Sequence, residues 1–257
     1  MAFGGEIILR PRSWRRLLRF GGFATVAALS PSSYGAAARA VAVRQVYLTA
    51  WKVLPGYLAF SALLSVVVIE IVHGAARSYG LSGVALELVL RVLVLELIPL
   101  LTALFVALRS GAAIGAEVAL MRVTGQLDDR AEAGTGPLQG ELVPRIAGAA
   151  LSVFSLTTLS IALAMYLAYT LFFGGSTAGF YVFTRVVGHV FDLPILIGLL
   201  LKCLLFGLAV ALIPLATGLE AERGELHTVP AAVLAGLMKL FLVIGLIEVL
   251  SLVVKYV

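Results

Sequence analysis

One cysteine, three histidines and few charges set the first limits on this 257-residue chain. The lone Cys203 excludes an internal disulfide and any cysteine-based metal cluster. It stands inside an apolar run, where packing outweighs redox chemistry as its role. His73, His189 and His227 lack metal-ligand spacing. No Gly-x-x-x-x-Gly-Lys-Ser/Thr occurs, and no lysine follows a glycine, so the chain has no Walker A phosphate loop of its own. Gly-x-Ser-x-Gly is absent too, and the Ser, His and Asp residues share no triad-like context. Nothing in these patterns suits an enzyme acting alone. Charged residues make up only 13% of the chain, against about 25% in soluble domains. No polar stretch is long enough to form a separate soluble domain.

What the chain has instead is apolar length. It is 61% hydrophobic. Five runs stand out, at Val53–Val72, Val84–Leu108, Ile146–Phe173, Leu193–Leu215 and Val229–Val254. Each holds roughly 20 or more mostly apolar residues, and at ~1.5 Å per residue a helix of that length spans the ~30 Å hydrocarbon core of a bilayer. Five such runs would overfill any soluble core. The expected fold is an all-α membrane protein with five transmembrane helices over residues 51–257, preceded by an N-terminal region over residues 1–50.

The net charge is +5. The basic residues gather at the edges of the apolar runs, where anionic lipid headgroups meet them, so nucleic acid is not expected as a partner. Their sides are unequal. Arg10, Arg12, Arg15, Arg16, Arg19, Arg39, Arg44 and Lys52 precede the first run. Arg109, Arg122, Arg130 and Arg145 follow the second, and Arg223 follows the fourth. The opposite side holds Arg77, Arg185 and Lys255. With five spans, this asymmetry places the N-terminus in the cytoplasm and the C-terminus outside.

From Pro11 onward, Trp14, Leu17, Leu18 and Gly21 share one helical face, and Arg12, Arg15, Arg16 and Arg19 share the other. That pattern describes an amphipathic helix lying in the membrane interface. A signal peptide with Phe20–Ala28 as its apolar part is the competing reading, but that stretch is short and interrupted by Gly21 and Gly22. Pro31 to Gly35 reads as a turn.

Several charges fall within or beside the apolar runs: Glu70, Glu87, Arg91, Glu96, Lys202, Lys239 and Glu248. Glu70 and Lys239 are expected to snorkel to an interface. Glu87 and Arg91, four residues apart, can pair on one face, and read as a solvated patch near the outer surface. Glu96 and Lys202 lie near the middle of their runs, where a charge costs ~2.5–3.5 kcal/mol on insertion scales. Each must face a partner helix, the other charge or a wet cavity. They are therefore either a structural ion pair or groups lining a cavity for a polar ligand. Pro99, three residues after Glu96, removes a backbone hydrogen bond and is expected to kink helix two beside the cavity. Glu248 either reaches the outer interface or lines the same cavity. Between the second and third runs, 112–127 has helical propensity, Asp128 to Glu132 is charged, and Gly134 to Pro137 reads as a turn. Gly111 with Gly115, and Gly174 and Gly175 with Gly179, have small-residue spacing that permits close helix approach.

Four stretches carry a family resemblance: Arg44-Gln45-Val46-Tyr47, Leu95-Glu96-Leu97-Ile98-Pro99-Leu100, the run from Arg109 to Leu127 containing Ala116-Glu117 and Met121-Arg122, and Pro144-Arg145. They resemble the MlaE family of ABC permeases, which move phospholipids together with MCE-domain proteins. The chain departs from the family pattern at Leu95 and Ile98, at Ser61 and Ser65 where span one usually has glycines, and at Glu225 to Pro230 before the last span. The resemblance implies a homodimer in the bacterial inner membrane, with an ABC ATPase subunit on each half, a periplasmic MCE-domain protein and, in some systems, a small STAS-type accessory subunit. ATP would be used by the ATPase, with no cofactor bound by this chain. Glu117, Met121, Arg122, Gln126 and Asp128 would belong to a cytoplasmic segment coupling to that ATPase. A lipid cavity would carry Glu96 and Lys202, with Pro99 and Glu248 beside them; the family's last-span acid falls one position from Glu248. Outside the resemblance, an ion- or proton-coupled carrier titrating at Glu96, or a non-transporting membrane scaffold, fits the same buried charges.

Overall fold

The computed structural model describes residues 43, 47–127, 143–221 and 224–256. The interfacial helix expected from Pro11 onward, and the charged tip with Asp128, lie outside the described residues.

A π-helical turn, Tyr47–Trp51, leads into α1, Leu54–Ser78. Pro55 suits the first turn of α1, where its missing N–H has no partner to lose. α2 is continuous over Gly83–Val123. α3 covers Val143–Phe173, α4 Thr177–Val190, α5 Leu193–Gly218 and α6 Thr228–Tyr256. Among the described residues there are helices and turns but no strand. α1, α2, α3, α5 and α6 are long and apolar enough to cross a membrane. Helices satisfy their own backbone groups, so they suit hydrocarbon surroundings.

One expectation changes at α2. The second span was expected to end at Leu108, with a separate helical stretch after it. Instead the helix runs unbroken to Val123, and its 41 residues make a rod of about 60 Å at ~1.5 Å per residue. Gly111 does not end it, because its φ of −60° and ψ of −46° are helical. At Pro99 the helix absorbs the missing donor by widening: Leu90–Leu97 is π-helical, and Pro99 then takes a first-turn position in the α-helical stretch Ile98–Val106. A second π-helical stretch, Ala107–Gly111, follows.

Another correction concerns Gly174 and Gly175. They are not packing residues: both have positive φ, 58° and 75°, and a Cβ on either would meet nothing within 4 Å. They turn the chain from α3 into α4, conformations that only glycine adopts at no cost. Ser176 then caps α4, its Oγ accepting from the Gly179 N–H at 3.1 Å. α4 itself had no counterpart in the apolar runs.

Four apolar clusters lie along the bundle, the smallest made by Ala119, Val123 and Ala221. At the α4 end, Ile69, Leu90, Leu93 and Ala168 pack with Phe183 and Val190. Tyr57, Val106, Leu156, Phe206 and Ile244 form the middle. At the opposite end Ile114, Val118, Ile146 and Leu215 meet. α5 is the central helix, packed on α2, α3 and α6. α1 packs on α3 through a stripe spaced by four: Tyr57, Ser61, Ser65 and Ile69. The Ser65 hydroxyl is satisfied within α1 by the Ser61 carbonyl at 2.7 Å.

One polar contact ties the middle cluster. Thr102 donates its hydroxyl hydrogen to the Ile98 carbonyl at 2.8 Å, so the buried Tyr57 hydroxyl is the donor in the 2.6 Å contact with Thr102 Oγ1. Tyr57→Phe should cost about 1 kcal/mol, the worth of one such bond. Thermal unfolding of the detergent-solubilised protein measures it, and Tyr57→Phe with Thr102→Val should cost little more.

Candidate functional site

The α4 half of the bundle holds a line of four charges. Glu96 comes from the π-helical stretch of α2, Lys202 from α5, and Glu248 and Lys255 from α6. Glu96 is shared: its Oε2 bonds the Lys202 ammonium, and its Oε1 accepts from Lys255 Nζ at 2.7 Å. On its other side Lys202 Nζ lies 2.8 Å from Glu248 Oε2, an ion pair without hydrogen-bond alignment. Lys202 also points at the Leu95 carbonyl, 3.5 Å away. That carbonyl stands four residues before Pro99, which has no N–H to offer it. The Phe206 ring, 5.9 Å from the ammonium, completes the enclosure.

The order Lys255, Glu96, Lys202, Glu248 alternates in sign and balances formally. Balance and mutual hydrogen bonding are what let four charges persist among apolar helices. Their exposures differ. Lys202 is 3% exposed and Lys255 17%.

Beside this line lies a cavity of about 440 Å³ bounded by α2, α5 and α6. Its walls are mostly apolar, with Ile195, Leu199, Leu205, Ile247, Leu250 and Val254 among them. Glu96, Lys202 and Lys255 contribute the charged groups. An apolar chamber of this size with a few convergent polar groups has the form of a small-molecule site.

The residues singled out from sequence thus divide. Glu96 and Lys202 meet each other at the cavity wall. Glu248 joins them through Lys202 and, like Pro99, stands outside the cavity lining. Pro99 is buried in α2 and outside the cavity lining. Lys255 was counted only as an end-of-helix cation. Its spacing of seven from Glu248 puts both on one face of α6, and that signal was present in the sequence.

Three further charges find their places. Lys239 does not snorkel to lipid. It is 1% exposed, and its ammonium reaches Glu220 Oε2 at 3.3 Å, just past the end of α5. Its stem runs through helix packing rather than along the membrane surface. Glu87 and Arg91 form their expected pair at 2.9 Å, partly exposed.

At the far end of α2, Glu117, Met121 and Arg122 lie on the continuation of the rod past Gly111, and Gln126 follows the turn at Thr124 and Gly125. Glu117 is held by Arg145, whose Nη1 and Nη2 approach its two carboxylate oxygens at 2.6 and 2.9 Å. This fork joins α2 to the start of α3 across residues 128–142, which are not described. It unites two stretches far apart in sequence, Ala116-Glu117 and Pro144-Arg145. Leu120, one turn on from Glu117, is an exposed apolar residue on the same stretch that sequence reasoning passed over.

With this geometry in place, comparison with known proteins gives two matches. A family model described as Permease MlaE matches residues 42–254. A protein of Synechocystis sp. described as a probable ABC transporter permease is 32% identical over 154 residues. The matched part covers 57% of this chain and 57% of the relative's length.

Proposed function

The chain belongs to the MlaE permease family, and on that footing we propose that it is the membrane permease subunit of an ABC-type phospholipid transporter. Two copies form the permease, an ABC ATPase docks on each, and an MCE-domain protein receives or delivers lipid outside the inner membrane. A STAS-type subunit can join the cytoplasmic side. The α4 end faces the periplasm, which leaves Lys52, Arg122 and Arg145 toward the cytoplasm, as the charge asymmetry requires.

The observation that carries this reading is the cavity with its charged edge. Acyl chains need an apolar chamber, and a headgroup needs polar partners at one end. The chamber beside α5 and α6 supplies the first, and Glu96, Lys202 and Lys255 supply the second. The chain performs no bond-breaking step. Hydrolysis in the ATPase would reach the cavity through α2, which runs unbroken from the charged line at Glu96 to Glu117 and Met121. The Glu117–Arg145 fork makes that end of α2 move together with α3.

Reconstitution with the ATPase and MCE partners tests the proposal. Fluorescent phospholipid should move between vesicles with ATP and not without it. Movement driven by a proton gradient alone would support the carrier reading instead. Glu96→Ala should lower ATP-dependent transport at least about tenfold, equivalent to about 1.4 kcal/mol. The complex should still co-purify, because Lys202 keeps Glu248 as its partner. Full activity in that variant would return Glu96 to a structural role.

A further inference from the structure

We infer that α4 is a surface helix of the bilayer, lying in the outer headgroup layer with an aromatic edge turned into the hydrocarbon and Arg185 held for a lipid phosphate. Its basis is the geometry of the bundle in a membrane, whatever the protein transports.

The height of α4 follows from its two neighbours. Leu156 on α3 and Phe206 on α5 belong to the middle cluster. Toward the α4 end, Tyr169 stands thirteen residues from Leu156, and Leu193 thirteen residues from Phe206. At ~1.5 Å per residue both lie about 20 Å from that cluster. α4 joins these two points. Its start is held at Tyr169, whose hydroxyl donates to the Ser176 carbonyl at 3.0 Å and whose ring centre is 5.8 Å from that of Phe180. Its last residue, Val190, stands just before Leu193. The helix therefore runs across the bundle rather than along it. A bilayer's hydrocarbon ends about 15 Å from its centre and its headgroups about 20–22 Å from it, which puts α4 among the headgroups.

Three edges divide α4. Gly179, Phe183 and Val190 are buried against the bundle. Phe180, Thr184, Val187 and Phe191, spaced four, three and four, share a second edge. Phe180 is 55% exposed. Thr184 suits apolar surroundings, because the Phe180 and Tyr181 carbonyls both lie 3.0 Å from its hydroxyl and accept its hydrogen. Val182, Arg185 and His189 share the third edge, and Asp192 follows it, exposed at the head of α5. Tyr181 stands between the second and third edges, 66% exposed. The Arg185 guanidinium lies over its ring, 5.0 Å from the centre, and donates to its hydroxyl at 2.9 Å.

An aromatic edge, a cationic edge and a tyrosine on the boundary describe an interfacial helix. In water Phe180 and Tyr181 would stay wet at a cost in apolar area, and a deeper position would strand Arg185 in hydrocarbon. The lipid-facing surface continues on both sides of α4, through exposed Leu171 on α3 and exposed Leu193 and Ile197 on α5. Tyr181 takes one guanidinium donor, which leaves others for a phosphate.

Spin labels test this orientation. The full chain carrying Cys203→Ala is labelled at Phe180→Cys, Thr184→Cys, Val182→Cys or His189→Cys, one at a time, in vesicles of phosphatidylethanolamine and phosphatidylglycerol. Collision with oxygen, which concentrates in hydrocarbon, is compared with collision with a water-soluble nickel chelate. Leu200→Cys, exposed on α5, gives the hydrocarbon reference. The oxygen-to-nickel ratio should be at least about fivefold higher at 180 and 184 than at 182 and 189, because the apolar face of such a helix sinks about 5–10 Å. Equal or inverted ratios would overturn the inference. Shielding of all four positions from both reagents would overturn it as well, and would give this face to a protein partner. Arg185→Gln should lower the ratio at position 180 about twofold, and Arg185→Lys should restore it. An unchanged ratio in Arg185→Gln would remove the phosphate contact.

Discussion

Lys202→Met should be the most damaging substitution at the charged line. It removes the cation between Glu96 and Glu248 and leaves Glu248 without the ion pair the structure gives it. Removing one partner of a buried ion pair costs about 3–5 kcal/mol. Neither carboxylate can turn cheaply to water, because both are largely enclosed by α2, α5 and α6. Methionine itself fits the space, so the loss is electrostatic rather than steric. Thermal unfolding in detergent, followed by size-exclusion elution, measures it. Lys202→Met combined with Glu248→Gln should recover most of the lost stability, since Glu96 then keeps Lys255 and no carboxylate is stranded. The double variant should still fail in transport. If Lys202→Met were as stable as wild type, the four charges would not act as one network.

Gly218→Val should be the second large effect, and its cause is steric. A Cβ at Gly218 would lie 2.7 Å from the Gly115 carbonyl oxygen and 3.1 Å from the Ala119 nitrogen. Both are backbone atoms of α2, so no side-chain rotation relieves the contact. α5 would have to move away from α2 at the end where Pro214 also packs against Gly111 and Gly115. Overpacking typically costs about 1–3 kcal/mol and occasionally more, and a backbone clash belongs at the upper end. The same displacement disturbs the end of α2 that carries Glu117, so ATP-dependent transport should fall further than stability alone explains. Gly245→Ala is the control. Nothing lies within 4 Å of a Cβ there, and alanine in a helix interior gains up to about 1 kcal/mol over glycine. Gly218→Val matching Gly245→Ala in thermal stability would disprove the close approach of α2 and α5.

Much of this protein is legible from residue order because a bilayer imposes strict rules. The apolar runs at Val53, Val84, Ile146, Leu193 and Val229 became helices, since a single apolar segment of that length satisfies its own backbone in lipid only as a helix. Glu96 and Lys202 stood out for the same reason, as charges that lipid would not tolerate. The small-residue spacing at Gly111 and Gly115 also marked a true helix contact. The failures share a different cause. α4 is too short and too mixed in polarity to register as a span. The end of α2 was misplaced because Leu108 marks where apolar composition fades, and helices need not end where the membrane does. Gly174 and Gly175 have the spacing of a packing motif, but whether glycine serves a contact or a positive φ depends on what stands opposite. Lys239 was sent to the wrong partner because Glu220 comes near it only through the α5–α6 packing.

Residue order alone determined the class of protein, the number of apolar helices and the presence of buried charge, because hydropathy and backbone satisfaction act locally along the chain. Which charges meet was left to the tertiary structure. Lys255 lies 159 residues from Glu96 in sequence, and only the crossing of α2, α5 and α6 brings those two and Lys202 to one cavity edge. Electrostatic partnership follows distance in space, and a single sequence carries no record of it.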